Sequence, residues 1–116
     1  MELETKRLDP GVIVLVISGR FLMGQDCERV ERAIDQHMGR NEKNFVFDLS
    51  AVDHIDSGAV GQIVKSLAKL KKSGGTLRLA GVSGMVDGVL RMTQVSRVIE
   101  IFPTAAEAAR NFPPTA

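Results

Sequence analysis

The sequence predicts an α/β domain in which an N-terminal β-hairpin joins a mainly parallel sheet of about five strands, with about four helices. Three observations carry this expectation. Val12 to Ile17 is a dense β-branched run and Phe45-Val46-Phe47 a short apolar one, both suited to buried strands. Between and after them, apolar residues recur at helical spacing: Met23, Cys27, Val30, Ile34 and Met38, then Val60, Ile63, Val64, Leu67 and Leu70. Beyond the hairpin, strands and helices alternate through short links. Such sheets gather their functional loops at the carboxyl ends of the strands.

Taken in order, Glu2 to Leu8 alternates, with Leu3, Thr5 and Arg7 on one face and Glu4, Lys6 and Leu8 on the other. Asp9-Pro10-Gly11 then signals a turn into the central strand at Val12. Gly19 to Gly24 is expected as a loop bracketed by glycines, and Gly39 is placed to cap the first helix. The run Phe45 to Phe47 is expected to stop at Asp48, with a polar connection reaching Gly58. The second helix begins at Ser57, with Gln62, Lys65, Ser66, Lys69 and Lys72 on its polar face and Gly74-Gly75 at its end. Thr76 to Gly81 is the next strand. Ser83 is placed to cap a short helix that turns Met85, Val86, Val89 and Leu90 inward. Arg97 to Phe102 is a last strand. Thr104 and Glu107 form a capping box for a terminal helix. Residues 1–112 are thus one domain, and 113–116 a frayed tail.

The composition excludes several functions. A chain of 116 residues with 44% apolar and 25% charged residues forms one ordinary core. A net charge of +1 and the lack of tryptophan and tyrosine argue against direct nucleic-acid binding. The single cysteine, Cys27, rules out an internal disulfide and suits a reducing compartment. No signal peptide or membrane span is evident, so a cytoplasmic location is expected.

The candidate site is the Asp48–Gly58 stretch and the helix start behind it. Ser57 at a helix N-terminus faces free backbone N–H groups and the positive end of the helix dipole. It is either a structural cap or a phosphoacceptor; a phosphate there adds about −1.5 to −2 charge beside Asp56. Serine-nucleophile chemistry is disfavoured, because Ile55 and Ala59 stand where a G-x-S-x-G elbow has glycines. Asp48 ends its strand without the neighbouring acids that a magnesium-dependent aspartyl phosphate needs. It is read as ordering its loop. The scattered histidines and lone cysteine supply no metal site, and Gly58-Ala59-Val60-Gly61 is no phosphate-binding loop. Lys65, Lys69, Lys71 and Lys72 are read as a solvated face.

Asp48-Leu49-Ser50, Ile55-Asp56-Ser57, the following helix and Gly74-Gly75 resemble the STAS domain of anti-sigma factor antagonists. The recurring form there is D-L-S-x-V-x-x-[IVM]-D-S-[ST]-[GA]-[LV]-G. The likeness extends to the Gly19 loop, the Ser83 to Thr93 segment, and Phe102-Pro103-Thr104 with Glu107-Ala108. It implies a non-enzymatic partner switch without a cofactor of its own. The unphosphorylated domain binds an anti-sigma factor that is also a serine kinase, and so frees a sigma factor for transcription. The kinase, which carries the ATP, phosphorylates the serine matching Ser57 and affinity falls. A PP2C-type phosphatase resets it. The implied partner-binding residues are Asp48, Asp56, Ser57, Gly58, Gly19, Arg20 and Leu22.

Three positions depart from the family pattern. Gly58 replaces the second hydroxyl residue and is expected to loosen the helix start. Leu22 replaces an aspartate of the Gly19 loop, and Gln94 replaces a glycine. STAS domains also serve as constitutive modules in lipid-transport and stress-sensing complexes, the alternative reading of this chain. A weak homodimer is a further expectation, and the sequence leaves open whether it would form through the hairpin edge.

Overall fold

In the computed structural model, which describes residues 1–9, 11–110 and 112, the expected α/β architecture is present. The elements run β1 (Glu2–Asp9), β2 (Val12–Phe21), α1 (Gln25–Met38), β3 (Asn44–Ile55), α2 (Ser57–Lys72), β4 (Thr76–Ala80), α3 (Gly84–Met92), β5 (Ile101–Phe102) and α4 (Ala105–Ala109). One mixed sheet has the order β1-β2-β3-β4-β5. Its first pair is antiparallel and every later pair parallel. The turn expected at Pro10 and the tail at 113–116 lie outside the described residues.

The sheet separates two apolar layers. One face packs Ile13, Leu15, Ile17, Phe45, Phe47, Leu77 and Leu79 against Val30 and Ile34 of α1, Ile63, Leu67 and Leu70 of α2, and Val86 and Leu90 of α3. The other packs Val12, Val14, Val46 and Ala80 against Ala108 and Ala109 of α4. Strand alternation makes this division: Phe45 and Phe47 point one way, Val46 the other. On the thinner side Arg78 is buried and anchors α4. Its guanidinium donates to the carbonyls of Ala108 (3.1 Å) and Arg110 (2.7 Å), and lies over the Phe102 and Phe112 rings. Thr104 caps α4 by accepting the Glu107 N–H, half of the expected box.

Several boundaries differ from expectation. β3 does not stop at Asp48 but continues to Ile55, because β2 also runs on to Phe21 and pairs with it. The polar residues there are strand residues with solvated side chains, while Val52 and Ile55 stay buried. The last strand shrinks to Ile101–Phe102, preceded by a 3₁₀ turn at Val95–Arg97. Gln94, just before that turn, is left-handed with φ 63°, which accounts for the family's glycine at this position. Gly39 caps α1 as expected, its N–H reaching the Asp35 carbonyl, but it does so right-handed, and Asn41 takes the left-handed conformation. Ser83 precedes α3 without a side-chain capping bond, and Met85 is exposed rather than inward.

The polar face of α2 is also partly internal. Gln62 and Ser66 are buried, whereas Val64 is 41% exposed. Gln62 donates to Glu31 of α1 at 3.0 Å, and Lys69 bridges Glu31 and Asp35. Part of the lysine face therefore fastens α1 to α2. Gly74 ends α2 with φ 91°, and Gly75 leaves room for the Lys43 carbonyl, which a Cβ would meet at 2.0 Å.

Candidate functional site

The site lies where β2 and β3 end together. Phe21 pairs with Ile55, so the residues that follow each strand, Leu22 to Gly24 and Asp56 to Gly58, are neighbours. Asp56 joins them. Its backbone is extended, and its side chain accepts the Ala59 N–H at 2.9 Å, which makes Asp56 the N-cap of α2. The same carboxylate accepts the Met23 N–H, at 3.1 Å from Oδ1 and 3.0 Å from Oδ2. Desolvation pushes its pKa up. The backbone N–H groups of Met23 and Ala59 outweigh that and hold it below the usual carboxylate range.

Ser57 is therefore not the cap. It is the first residue of α2, is exposed, and its hydroxyl has no hydrogen-bond partner among the described residues. Gly58 admits Met23. A Cβ at Gly58 would lie 2.2 Å from the Met23 Cβ and 2.9 Å from its Cα. Met23 itself is 67% exposed and lies against Gly58, although its spacing predicts a place on the apolar face of α1.

The loop before α1 has its own carboxylate despite Leu22. Asp26 accepts the Leu22 N–H at 2.9 Å. The Cys27 thiol lies 3.5 Å from the carbonyl oxygens of Leu22 and Gly58, bridging both halves of the site. Burial raises its pKa, and the charges of Asp56 and Asp26 raise it further, so the thiol stays protonated.

The other expected site residues lie apart. Gly19 and Arg20 belong to β2, where Gly19 is left-handed and pairs with Val52, and Arg20 pairs with His54 and is exposed. Asp48 sits within β3, paired with Val16 and Ala80. Eight residues of extended chain, about 25 Å, separate it from Asp56. Its carboxylate accepts the Ser50 N–H at 3.0 Å and the Ser50 hydroxyl at 2.7 Å. Asp48 orders the chain locally, as expected, but does not join Ser57. Among the described residues no group of three or more His, Cys, Asp or Glu could hold a metal ion. Nor is any helix long and apolar enough to cross a membrane.

A hairpin-led parallel sheet with an exposed serine opening the helix after its central strand defines a class of small α/β domain built around a strand-to-helix turn. The chain belongs to the STAS domain family, which matches residues 5–108. A curated Thermotoga maritima relative, provisionally named an anti-sigma factor antagonist, is 32% identical over 74 residues, covering 64% of this chain. This chain spans 66% of that relative's length in the match. The crystal structure of a T. maritima protein with the same provisional name, TM1081, superposes with a TM-score of 0.85 at 25% identity, covering 95% of this chain and 93% of the other. The Bacillus cell-fate determinant SpoIIAA in its phosphorylated form has a TM-score of 0.73 at 15% identity, over 92% and 96% of the two chains. That last likeness is one of fold.

Proposed function

We propose that this protein is an anti-sigma factor antagonist whose affinity for an anti-sigma factor serine kinase is switched off by phosphorylation of Ser57. The observation that carries the reading is the division of labour at the start of α2. Asp56 does the capping, so the Ser57 hydroxyl is left exposed and without a structural duty. Similarity to relatives named as antagonists gives the reading its direction.

The docking face consists of Asp56, Ser57 and Gly58 with Leu22 and the exposed Met23. Gly19 and Arg20 lie at its margin, and Asp48, in the middle of β3, stands outside it. In the switching step the γ-phosphoryl group of kinase-bound ATP passes to Ser57 Oγ, the hydroxyl proton is lost and ADP leaves. The product carries about −1.5 to −2 charge at the helix start. The helix dipole offsets part of this charge within the domain. A partner packed against Met23 and a neutral serine meets both bulk and charge. A PP2C-type phosphatase restores the hydroxyl. The antagonist is ligand and substrate in this cycle, and transcription by the released sigma factor is the output.

The test is capture from native lysate on wild-type, Ser57→Ala and Ser57→Asp baits. Recovery of an ATP-binding anti-sigma kinase on the first two, and its loss on the third, is the expected result. Equal recovery on all three would reject the switch and leave a constitutive STAS module in a larger complex. Phosphate transfer that persists on Ser57→Ala would reject the site.

A further inference from the structure

β1 forms one edge of the sheet, so half of its backbone N–H and C=O groups point away from β2. From Glu2 to Leu8 every side chain except Leu3 is exposed. The charges are ordered: Glu2 and Glu4 come first, Lys6 and Arg7 after. A strand read in reverse beside itself therefore meets opposite charge. We propose that β1 is a homodimerisation edge, on which a second copy of this chain pairs antiparallel about a twofold axis at Thr5 and joins the two sheets into one.

Symmetry and strand geometry select that axis. Outward-pointing backbone groups alternate along a strand. Residues directly opposed in a symmetric antiparallel pair must therefore both be even-numbered or both odd-numbered. The register shift between Arg7 and Asp9 confines regular pairing to Glu2 through Arg7. Within that window, an axis at Thr5 sets Glu4 opposite Lys6 twice and Leu3 opposite Arg7 twice. An axis at Glu4 would set this carboxylate against its own copy, and an axis at Lys6 would do the same to two ammonium groups, both unfavourable. Arg7 is matched within its own chain by Glu42, so its place opposite Leu3 adds no unpaired cation.

Charged edges ordinarily prevent strand addition. Here the same charges disfavour every register but one, which restricts the edge to a copy of itself. Exposed ion pairs contribute little, so the association is weak, with a dissociation constant of about 0.1 mM.

Sedimentation equilibrium on the full chain up to about 1 mM tests the proposal. Wild type should dimerise. Glu4→Lys and Lys6→Glu should each raise the dissociation constant at least about tenfold, since each turns two attractive pairs into repulsive ones. The double variant Glu4→Lys/Lys6→Glu should return close to wild type. An equimolar mixture of the two single variants should form a heterodimer. Thr5→Cys in a Cys27→Ser background should oxidise to a disulfide-linked dimer, and Leu3→Cys should not. A monomer throughout the range, a dimer indifferent to both single changes, or a double variant as weak as the singles would each overturn it.

Discussion

The Asp56 carboxylate accepts the backbone N–H of Met23 at 3.0 Å while capping α2 through Ala59 at 2.9 Å, so one side chain fastens the end of β2 to the helix that follows β3. Neither strand end is ordered by its own sequence alone. The shape of the surface around Ser57 rests on this aspartate, which sits one residue before the serine it presents.

Asp56→Ala should destabilise the domain by about 1–2 kcal/mol through loss of the cap. Amide exchange should accelerate at Met23 and Ala59 before it does so in the sheet. The dependence on pH has a definite sign. The folded pKa is depressed, so the carboxylate's contribution is complete above its unfolded value of about 4 and disappears as pH falls through the lower folded value. Urea titrations of wild type and Asp56→Ala should therefore differ at pH 7 and converge as pH falls through the lowered folded pKa.

Gly58→Ala should be destabilising although alanine is the better helix former by about 1 kcal/mol. The added methyl would occupy the place of the Met23 backbone and side chain. Forcing such overlap costs about 1–3 kcal/mol, so a net loss is expected together with a displaced Leu22–Gly24 loop. Thermal unfolding and the amide shifts of Met23 report the two effects. An unshifted Met23 with raised stability would contradict the close packing.

Gln94→Gly should stabilise the protein by about 0.5 kcal/mol. Relief of left-handed strain gains about 1–2 kcal/mol, and the greater freedom of glycine in the unfolded chain takes back about 0.5–1. Chemical denaturation should show a higher midpoint with an unchanged slope.

Arg78→Ala should cost about 3 kcal/mol, since it leaves the buried Ala108 carbonyl and the part-buried Arg110 carbonyl without their donor and removes the guanidinium from two aromatic rings. The loss should appear first as faster amide exchange in Ala105–Ala109. Uniform destabilisation with α4 still protected would argue against the anchor.

Cys27 should react with thiol reagents at pH 7 more slowly than in the unfolded chain, because burial, Asp56 and Asp26 all disfavour the thiolate. Alkylation followed by mass spectrometry measures this. Asp56→Asn should narrow the difference by removing one of the two negative charges.

Much of the architecture was legible because it follows from local pattern. The β-branched run at Val12, the helical periodicity after Val60 and the Gly74-Gly75 stop each impose one conformation through side-chain shape or backbone freedom. The Asp56-Ser57-Gly58 stretch identified the candidate site by its order alone. What the chain order could not show was partnership across space. β3 continues past Asp48 because β2 lies beside it to supply backbone hydrogen bonds, and no alternation within Ser50 to His54 records that neighbour. The same holds for Gln62 and Ser66, polar residues made internal by the approach of Glu31. Asp56 rather than Ser57 became the cap, and Gly58 a site of close packing, because Met23 arrives from the loop after β2. Local sequence determined the elements and their order; the tertiary structure decided which polar groups they share, since hydrogen bonds and steric exclusion between distant segments exist only once those segments meet.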